Sequence, residues 1–214
     1  MSFAEIVDGP LLYLSATVFV IGVLWRLVGM LAMGSKTDFS APRATGTAGA
    51  LRINITRFFP RADFWSRIKL QTIAGYLFHL GLFALLFFAA PHIEFYEQRV
   101  TGFGWPALPE WAFILVSELA FFGLLLLILH RMLHPVTRAI SDRGDYIGSI
   151  LLFLVMLTGC LALARAHESL RVIHFFLAEL LLIYFPFSAL MHTFTFPFSR
   201  AYMGAHYGRR GVKV

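Results

Sequence analysis

"RVIHFFLAELLLIYFPFSALMH" occupies residues 171–192, and this stretch is long and apolar enough to cross a bilayer as a helix. It contains two histidines, His174 and His192, which are 18 residues apart. At about 100° per residue this separation is roughly five whole turns, so a continuous helix would present both imidazoles on one face. The rings would stand roughly 27 Å apart along the axis, and a hydrocarbon core is about 30 Å thick. The spacing therefore predicts one imidazole near each membrane surface.

The composition of the whole chain indicates an integral membrane protein. The 214 residues are 58% hydrophobic and 14% charged, with a mean hydropathy of +0.73, which exceeds what a soluble domain of this size needs. The net charge of +6 does not indicate nucleic acid as a partner, because the basic residues lie in loops, where the positive-inside rule accounts for them. The single cysteine, Cys160, excludes an intramolecular disulfide and a Cys-rich iron–sulfur motif in this chain.

Apolar stretches predict an all-α membrane protein, a bundle of five transmembrane helices forming a single domain over residues 1–214. The predicted spans are approximately 11–33, 70–90, 111–132, 146–164 and 172–193. Fourteen Lys and Arg residues lie in the segment 34–69, the loop after the third span and the tail, against three in the alternate regions. This bias predicts the N-terminus outside and the C-terminus in the cytoplasm.

The segment 34–69 mixes basic residues with Phe and Trp. Such a composition is typical of a segment that lies along the membrane surface, in this case the cytoplasmic one. Docking to a soluble partner is an alternative that the composition supports equally, and the two are compatible.

Two histidines on different predicted spans have the arrangement that bis-histidine haem ligation requires. His79 lies in the inner half of the second span and His192 in the inner half of the fifth, so their imidazoles are expected at matching depth. The alternative is that each one only hydrogen-bonds a neighbouring helix. His130 and His134 are four residues apart and could form a metal pair, but a solvated basic helix end is the favoured interpretation for them.

A second pair is predicted near the outer surface, with His174 and His92 as its members. His92 follows His79 by 13 residues, about 20 Å of rise, and therefore has approximately the depth that His174 needs. Its angular position on a straight helix is poor, so the helix is expected to end or bend at Pro91 and to let His92 reach back. His167, in the short outer loop, is a second candidate partner.

These motifs resemble a known family over nearly the whole chain. The chain is similar to the five-helix cytochrome b (gamma) subunit of respiratory nitrate reductase, and to shorter relatives in membrane complexes with heterodisulfide-reductase-like iron–sulfur proteins, including those linked to sulfite reductase. The resemblance is carried by "VFVIGVLWR", "LFHLG", "RMLHPVTRAISDRGDY" and "IHFFLAELLLIYFPFSALMH". The last of these, with "FPFS" between two histidines, is the most specific.

The resemblance implies the ligands of two haems. His79 and His192 match the ligands of an inner haem b, and His174 matches one ligand of an outer haem. The family's other outer ligand stands ten residues after the "LFHLG" histidine, where this chain has Ala89. Either His92 replaces that ligand or the outer haem is missing.

The resemblance also implies a function for the whole chain. It would be the quinol/quinone oxidoreductase subunit of a respiratory-chain complex in a bacterial or archaeal cytoplasmic (inner) membrane, passing electrons through haem to a cytoplasmic iron–sulfur partner. Polar groups at the outer ends of the second and fifth spans are candidates for a quinone site. They are His92, Glu94, Tyr96, His167 and Glu168.

Two other classes of protein remain open. A haem-free membrane anchor would hold partners without redox chemistry, and a proton-coupled transporter would use the histidines as a relay. Transporters typically show internal repeats and helices interrupted by Gly or Pro near the midplane, and the sequence shows neither.

Overall fold

The computed structural model describes residues 1–34, 39–164, 167 and 169–212, and the regular structure of this part of the chain is entirely helical. Among the described residues, five helices are long and apolar enough to cross a membrane. They are Phe3–Ala32, Ala62–Phe88, Glu110–Leu133, Arg143–Leu163 and Ser169–Phe187. The predicted all-α class and number of spans are therefore confirmed, and the orientation of the termini stays a prediction.

The chain divides into two compact units, each described separately below. The first unit comprises residues 1–62 and 172–214, and the second comprises residues 63–171. His174 and His192 belong to the first unit, whereas His79, His92 and His167 belong to the second.

The first unit begins with a helix that contains a wider turn near its start. Helix α1 (Phe3–Ile6) is capped by Ser2, a π-turn covers Val7–Leu11, and α2 (Leu12–Ala32) continues to the end of the first span. Aromatic rings join it to α9 (Ser169–Tyr184) and to the turn that follows α9. The ring centroids are 5.5 Å apart for Phe3 and Phe176 and 5.3 Å apart for Phe19 and Phe185.

Helix α9 ends in a break at the "FPFS" motif. A 3-10 turn covers Phe185–Phe187, Ser188 is extended, a second 3-10 turn covers Ala189–Met191, and α10 (His192–Arg209) follows. Pro186 has no N–H to donate along a helix. It packs so closely on Gly22 of α2 that a Cβ at position 22 would come within 2.6 Å of the proline ring.

The break corrects two predictions. His174 and His192 do not share one face of a continuous helix, because the α-helix stops between them. The helix of the fifth span ends at Phe187, so His192 lies at the start of α10 and not within that helix. The depth of His192 in the membrane stays a prediction. The tail is also helical as far as Arg209, which the basic composition did not indicate.

Helix α10 packs against α3 (Gly46–Thr56), and glycines allow the close approach. Gly49 and Gly204 face each other so closely that a Cβ on either would collide with the backbone of the other. The Asn54 side chain donates to the carbonyl oxygen of Pro197 at 3.1 Å. These two helices, which we call the α3–α10 pair, include part of the segment predicted to lie along the membrane surface.

The second unit contains the other three membrane-length helices, α4 (Ala62–Phe88), α6 (Glu110–Leu133) and α8 (Arg143–Leu163). Small residues bring α4 and α6 together, since a Cβ on Gly81 would come within 2.6 Å of the Ala120 side chain. Helix α6 packs on α8 through Phe121 and Phe153, whose rings are 5.5 Å apart. Two short helices, α5 (Ala90–Tyr96) and α7 (Pro135–Ile140), follow α4 and α6 respectively.

The glycine contact in the α3–α10 pair gives a test of the fold. Gly204→Ala is expected to lower the free energy of unfolding by about 1–3 kcal/mol, because its methyl group meets the Gly49 backbone, which cannot move aside as a side chain can. Gly29→Ala is the matched control, since nothing lies within 4 Å of a Cβ there. This substitution should raise stability by about 0.5–1 kcal/mol. Denaturant unfolding of the purified variants measures both changes, and equal effects would contradict the packing described.

Candidate functional site

His79 lies beside the face that α4 presents to α6. The buried residues Ala74, Phe78, Gly81 and Leu85 recur at helical spacing, and His79 follows Phe78, so its side chain leaves α4 about 100° away from that stripe. The His79 ring is partly buried, and its Nδ1 lies 2.7 Å from the carbonyl oxygen of Gly75. A carbonyl oxygen only accepts, so Nδ1 is the donor and the lone pair of the neutral imidazole is on Nε2.

His92 stands just beyond the end of α4. That helix stops at Phe88, Ala89 is extended with φ −71° and ψ 132°, and α5 begins with Pro91 in its first turn. Its Nδ1 lies 3.0 Å from the carbonyl oxygens of both Leu85 and Leu86. The ring therefore turns back over the last turn of α4, and the predicted irregular helix end at Pro91 is confirmed. Here too Nδ1 is the donor and Nε2 carries the lone pair.

The two candidate ligands of the first unit differ in their surroundings. His192 is exposed in the first turn of α10, and its Nδ1 donates to the carbonyl oxygen of Ala189 at 2.8 Å. His174 is half-buried on α9, where its ring lies 6.2 Å from that of Phe175 in an edge arrangement. His192 thus has the same tautomer as His79 and His92.

His167 has the opposite arrangement. The backbone N–H of Ser169 donates to its Nδ1 at 3.3 Å, and the Ser169 hydroxyl lies 2.7 Å from the same nitrogen. Nδ1 must therefore be an acceptor, which puts the proton of the neutral ring on Nε2. A metal ligand needs a lone pair on the nitrogen that faces the metal, so this geometry favours His92 over His167 as a ligand.

Three of the candidate quinone-site residues, His92, Glu94 and Tyr96, lie on α5. Helical spacing puts His92 and Tyr96 on one face of α5 and Glu94 on another, where Glu94 is exposed and accepts from the Gln98 side chain at 3.1 Å. The Tyr96 ring stacks on Trp105 with centroids 5.8 Å apart and an interplanar angle of 19°. Glu168 lies outside the described residues.

The burial of Tyr96 affects its titration. Burial raises the pKa of its phenol above the ordinary value of 10.0. A phenol that keeps its proton remains a hydrogen-bond donor throughout the physiological range. Tyr96 therefore provides a hydrogen-bond donor at the end of α5, beside Trp105.

Glu179 is a candidate that the sequence analysis missed. It lies within the fifth span, is only 1% exposed, and neither of its carboxyl oxygens has a hydrogen-bond partner among the described residues. An ionisable residue inside an apolar run was the available signal. The search for histidine pairs passed over it.

His130 and His134 form a stacked pair at the end of α6, with ring centroids 4.8 Å apart and an interplanar angle of 25°. Within the described residues, no group of three or more His, Cys, Asp or Glu side chains could hold a metal ion. A bis-histidine haem needs only two axial side chains, because the porphyrin supplies the other ligands.

The fold and its membrane-length helices indicate an α-helical membrane protein. No protein-family sequence model matches the chain. A protein of Nitratidesulfovibrio vulgaris is similar to it, with 29% identity over 211 residues that cover 95% of this chain and 93% of the relative. That relative is named only as a protein, so its name assigns no activity. No solved structure matches the chain.

The raised pKa of Tyr96 predicts a pH dependence of stability. In the unfolded chain the phenol ionises near 10.0, whereas the folded protein holds the proton to higher pH. Stability is therefore expected to fall as pH rises above the unfolded value, because unfolding then releases a proton. Tyr96→Phe should lose less stability than the wild type over this range, as measured by thermal unfolding at a series of pH values. Tyr207→Phe, at an exposed position, is the control and should behave as the wild type.

Proposed function

We propose that this chain is the haem b membrane subunit of a respiratory oxidoreductase. It would exchange electrons between the quinone pool and a cytoplasmic iron–sulfur partner subunit. The observation that supports this most directly is the orientation of His79, which directs Nδ1 to the backbone carbonyl oxygen of Gly75 within α4, and His92 and His192 have the same tautomer. A ligating histidine usually donates its other ring N–H in this way, which fixes both the tautomer and the ring orientation.

The residues present fit bis-histidine ligation. His79 and His192 are the proposed ligands of an inner haem b, and His174 and His92 those of an outer one. When bound, haem b supplies one-electron transfer at a potential that its axial ligands and surroundings set. The role of the chain would be to hold each imidazole in the tautomer and the orientation that ligation requires. The resemblance of "LFHLG" and "FPFS" to the nitrate reductase gamma-like family supports the same assignment.

The quinone site is proposed at the outer end of the second span. His92, Glu94, Tyr96, His167 and Glu168 are its candidate polar groups, and Tyr96 supports a hydrogen bond to a quinone carbonyl because its phenol keeps its proton. The charge bias of the loops supports an N-terminus outside, so protons from quinol oxidised at this end would be released outside. The proposed membrane is the cytoplasmic membrane of a bacterium or archaeon.

A proton-coupled transporter is the second candidate function, and the buried Glu179 favours it. Proton carriers place carboxyl groups inside the protein at membrane depth. Helix breaks of the kind transporters use do occur at Ala89 and Pro186, but each lies at the end of a span rather than near its middle. The absorption spectrum of the purified protein distinguishes the two functions, since only the cytochrome has a b-type spectrum after reduction with dithionite.

Substitution of the inner pair tests the proposal. His79→Ala and His192→Ala should each remove the same haem, one per chain, because loss of either axial ligand leaves the iron held from one side only. The measurement is haem content per protein and the reduced spectrum in membranes, with immunodetection showing that each variant inserts. His134→Ala, which changes an exposed histidine outside the proposed ligand set, should retain all haem. Full haem content in both ligand variants would refute this pairing.

The outer pair predicts a second redox centre. A potentiometric titration of the wild type should resolve two midpoints, because the two haems lie in different surroundings. His92→Ala should abolish one midpoint, whereas His167→Ala should keep both, since the tautomer of His167 puts its proton on Nε2. A wild-type titration with a single haem would remove the outer site. Two midpoints without His92, and one without His167, would transfer the ligand role to His167.

A further inference from the structure

The side chain of Glu179 is buried within the protein. It lies ten residues after Ser169, where the fifth span begins, which corresponds to roughly 15 Å of helix. Only 1% of its surface is exposed, so other parts of the chain enclose its side chain. Both carboxyl oxygens are buried without a hydrogen-bond partner among the described residues. A group in this position requires an explanation, because buried polar atoms are almost always paired.

The charge state of this carboxyl follows from its surroundings. An ionised carboxylate without a partner in a low-dielectric interior costs several kcal/mol at least, so the neutral acid is the stable form. Asp8 on the N-terminal helix is close enough to interact electrostatically with Glu179, and it carries the same sign of charge. Two neighbouring carboxyl groups rarely ionise together, so Asp8 adds to the free-energy cost of ionising Glu179.

The titratable and charged groups on α9 and on the N-terminal helix are Glu5, Asp8, Tyr13, Arg26, Arg171, His174 and Tyr184. Glu5 is exposed and accepts from the Ser2 backbone N–H at 2.8 Å. Arg26 follows Asp8 by 18 residues, roughly 27 Å along the helix.

Asp8 lies near the start of the first span. It is half-buried and lies five residues from the start of the first span, about 7.5 Å of rise. It also lies in the π-turn Val7–Leu11, which contains Pro10. Single π-turns occur frequently at functional sites, because the wider turn changes the direction of its side chains relative to a regular helix.

We propose that Glu179 is a proton-binding site of the membrane interior and that Asp8 carries its proton to and from the membrane surface. On release, the O–H bond of the Glu179 carboxyl breaks and an O–H bond forms on the Asp8 carboxylate, so the negative charge passes from Asp8 to Glu179. The reverse step restores the acid, and no other reactant is required. The site does not depend on haem and serves either candidate function.

Infrared spectroscopy of the full chain in lipid nanodiscs tests the site directly. The wild type should show the C=O stretching band of a protonated carboxylic acid, and this band should move when the sample is transferred to D₂O. Glu179→Gln should abolish the band, because the amide keeps the shape of the neutral acid but has no exchangeable carboxyl proton. Glu110→Gln, which changes an exposed glutamate at the start of α6, should leave it in place.

Asp8→Asn tests the route. The band should persist in this variant and respond more slowly to D₂O, because the proton has lost its carrier. Survival of the band in Glu179→Gln would overturn the site, and exchange at the wild-type rate in Asp8→Asn would overturn the route. Circular dichroism and size-exclusion chromatography check that each variant folds. Should Glu179→Gln fail to fold, Glu179→Asp replaces it, with a shifted band as the expected result and an unshifted band as the contrary one.

Discussion

Backbone carbonyl groups at the ends of membrane helices must find hydrogen-bond donors within the protein, because the hydrocarbon core has no water to donate to them. The end of α4 shows how this chain meets the requirement. His92 donates to the carbonyl oxygens of Leu85 and Leu86, the Trp105 side chain to that of Phe87 at 2.7 Å, and the Leu108 backbone to that of Phe88 at 2.9 Å. All four carbonyls of the last turn are satisfied. The loop 102–109 is therefore folded back on α4, and the aromatic cluster around Tyr96 results from it.

The same requirement clarifies what the histidines do. His192 also stands at a helix break, where its ring donates to the carbonyl oxygen of Ala189. For His92 and His192, capping an orphan carbonyl explains the bond without any ligand role. This explanation fails for His79, which lies within α4, where the regular helix already provides an N–H to the Gly75 carbonyl. The extra bond at His79 fixes the ring orientation without meeting a need of the backbone, so His79 supports the proposed ligand role most strongly.

The sequence predicted some of these features and not others, for physical reasons. Hydropathy and length located the five spans within a few residues at most ends, since spanning needs only a long apolar run. The break at Pro91 was predicted because the angular position of His92 required it. The break at Pro186 was not, because the run stays apolar through Met191 and the contact that stabilises it, with Gly22, is distant in sequence. The α3–α10 pair was not predicted for the same reason, since Gly49 and Gly204 are distant in sequence and meet only in the folded chain.

The break after α9 changes how the two histidines of the opening stretch relate to the rest of the protein. On a continuous helix, His174 and His192 would move together. In the structure His174 belongs to α9, whereas His192 opens α10, whose position is set by glycine packing against α3. The α3–α10 pair carries basic side chains such as Arg52 and Arg200, and the charge bias predicts that it lies on the cytoplasmic side of the membrane. The position of the proposed ligand His192 therefore depends on the glycine contact between α3 and α10, whereas the position of His174 depends on the packing of α9.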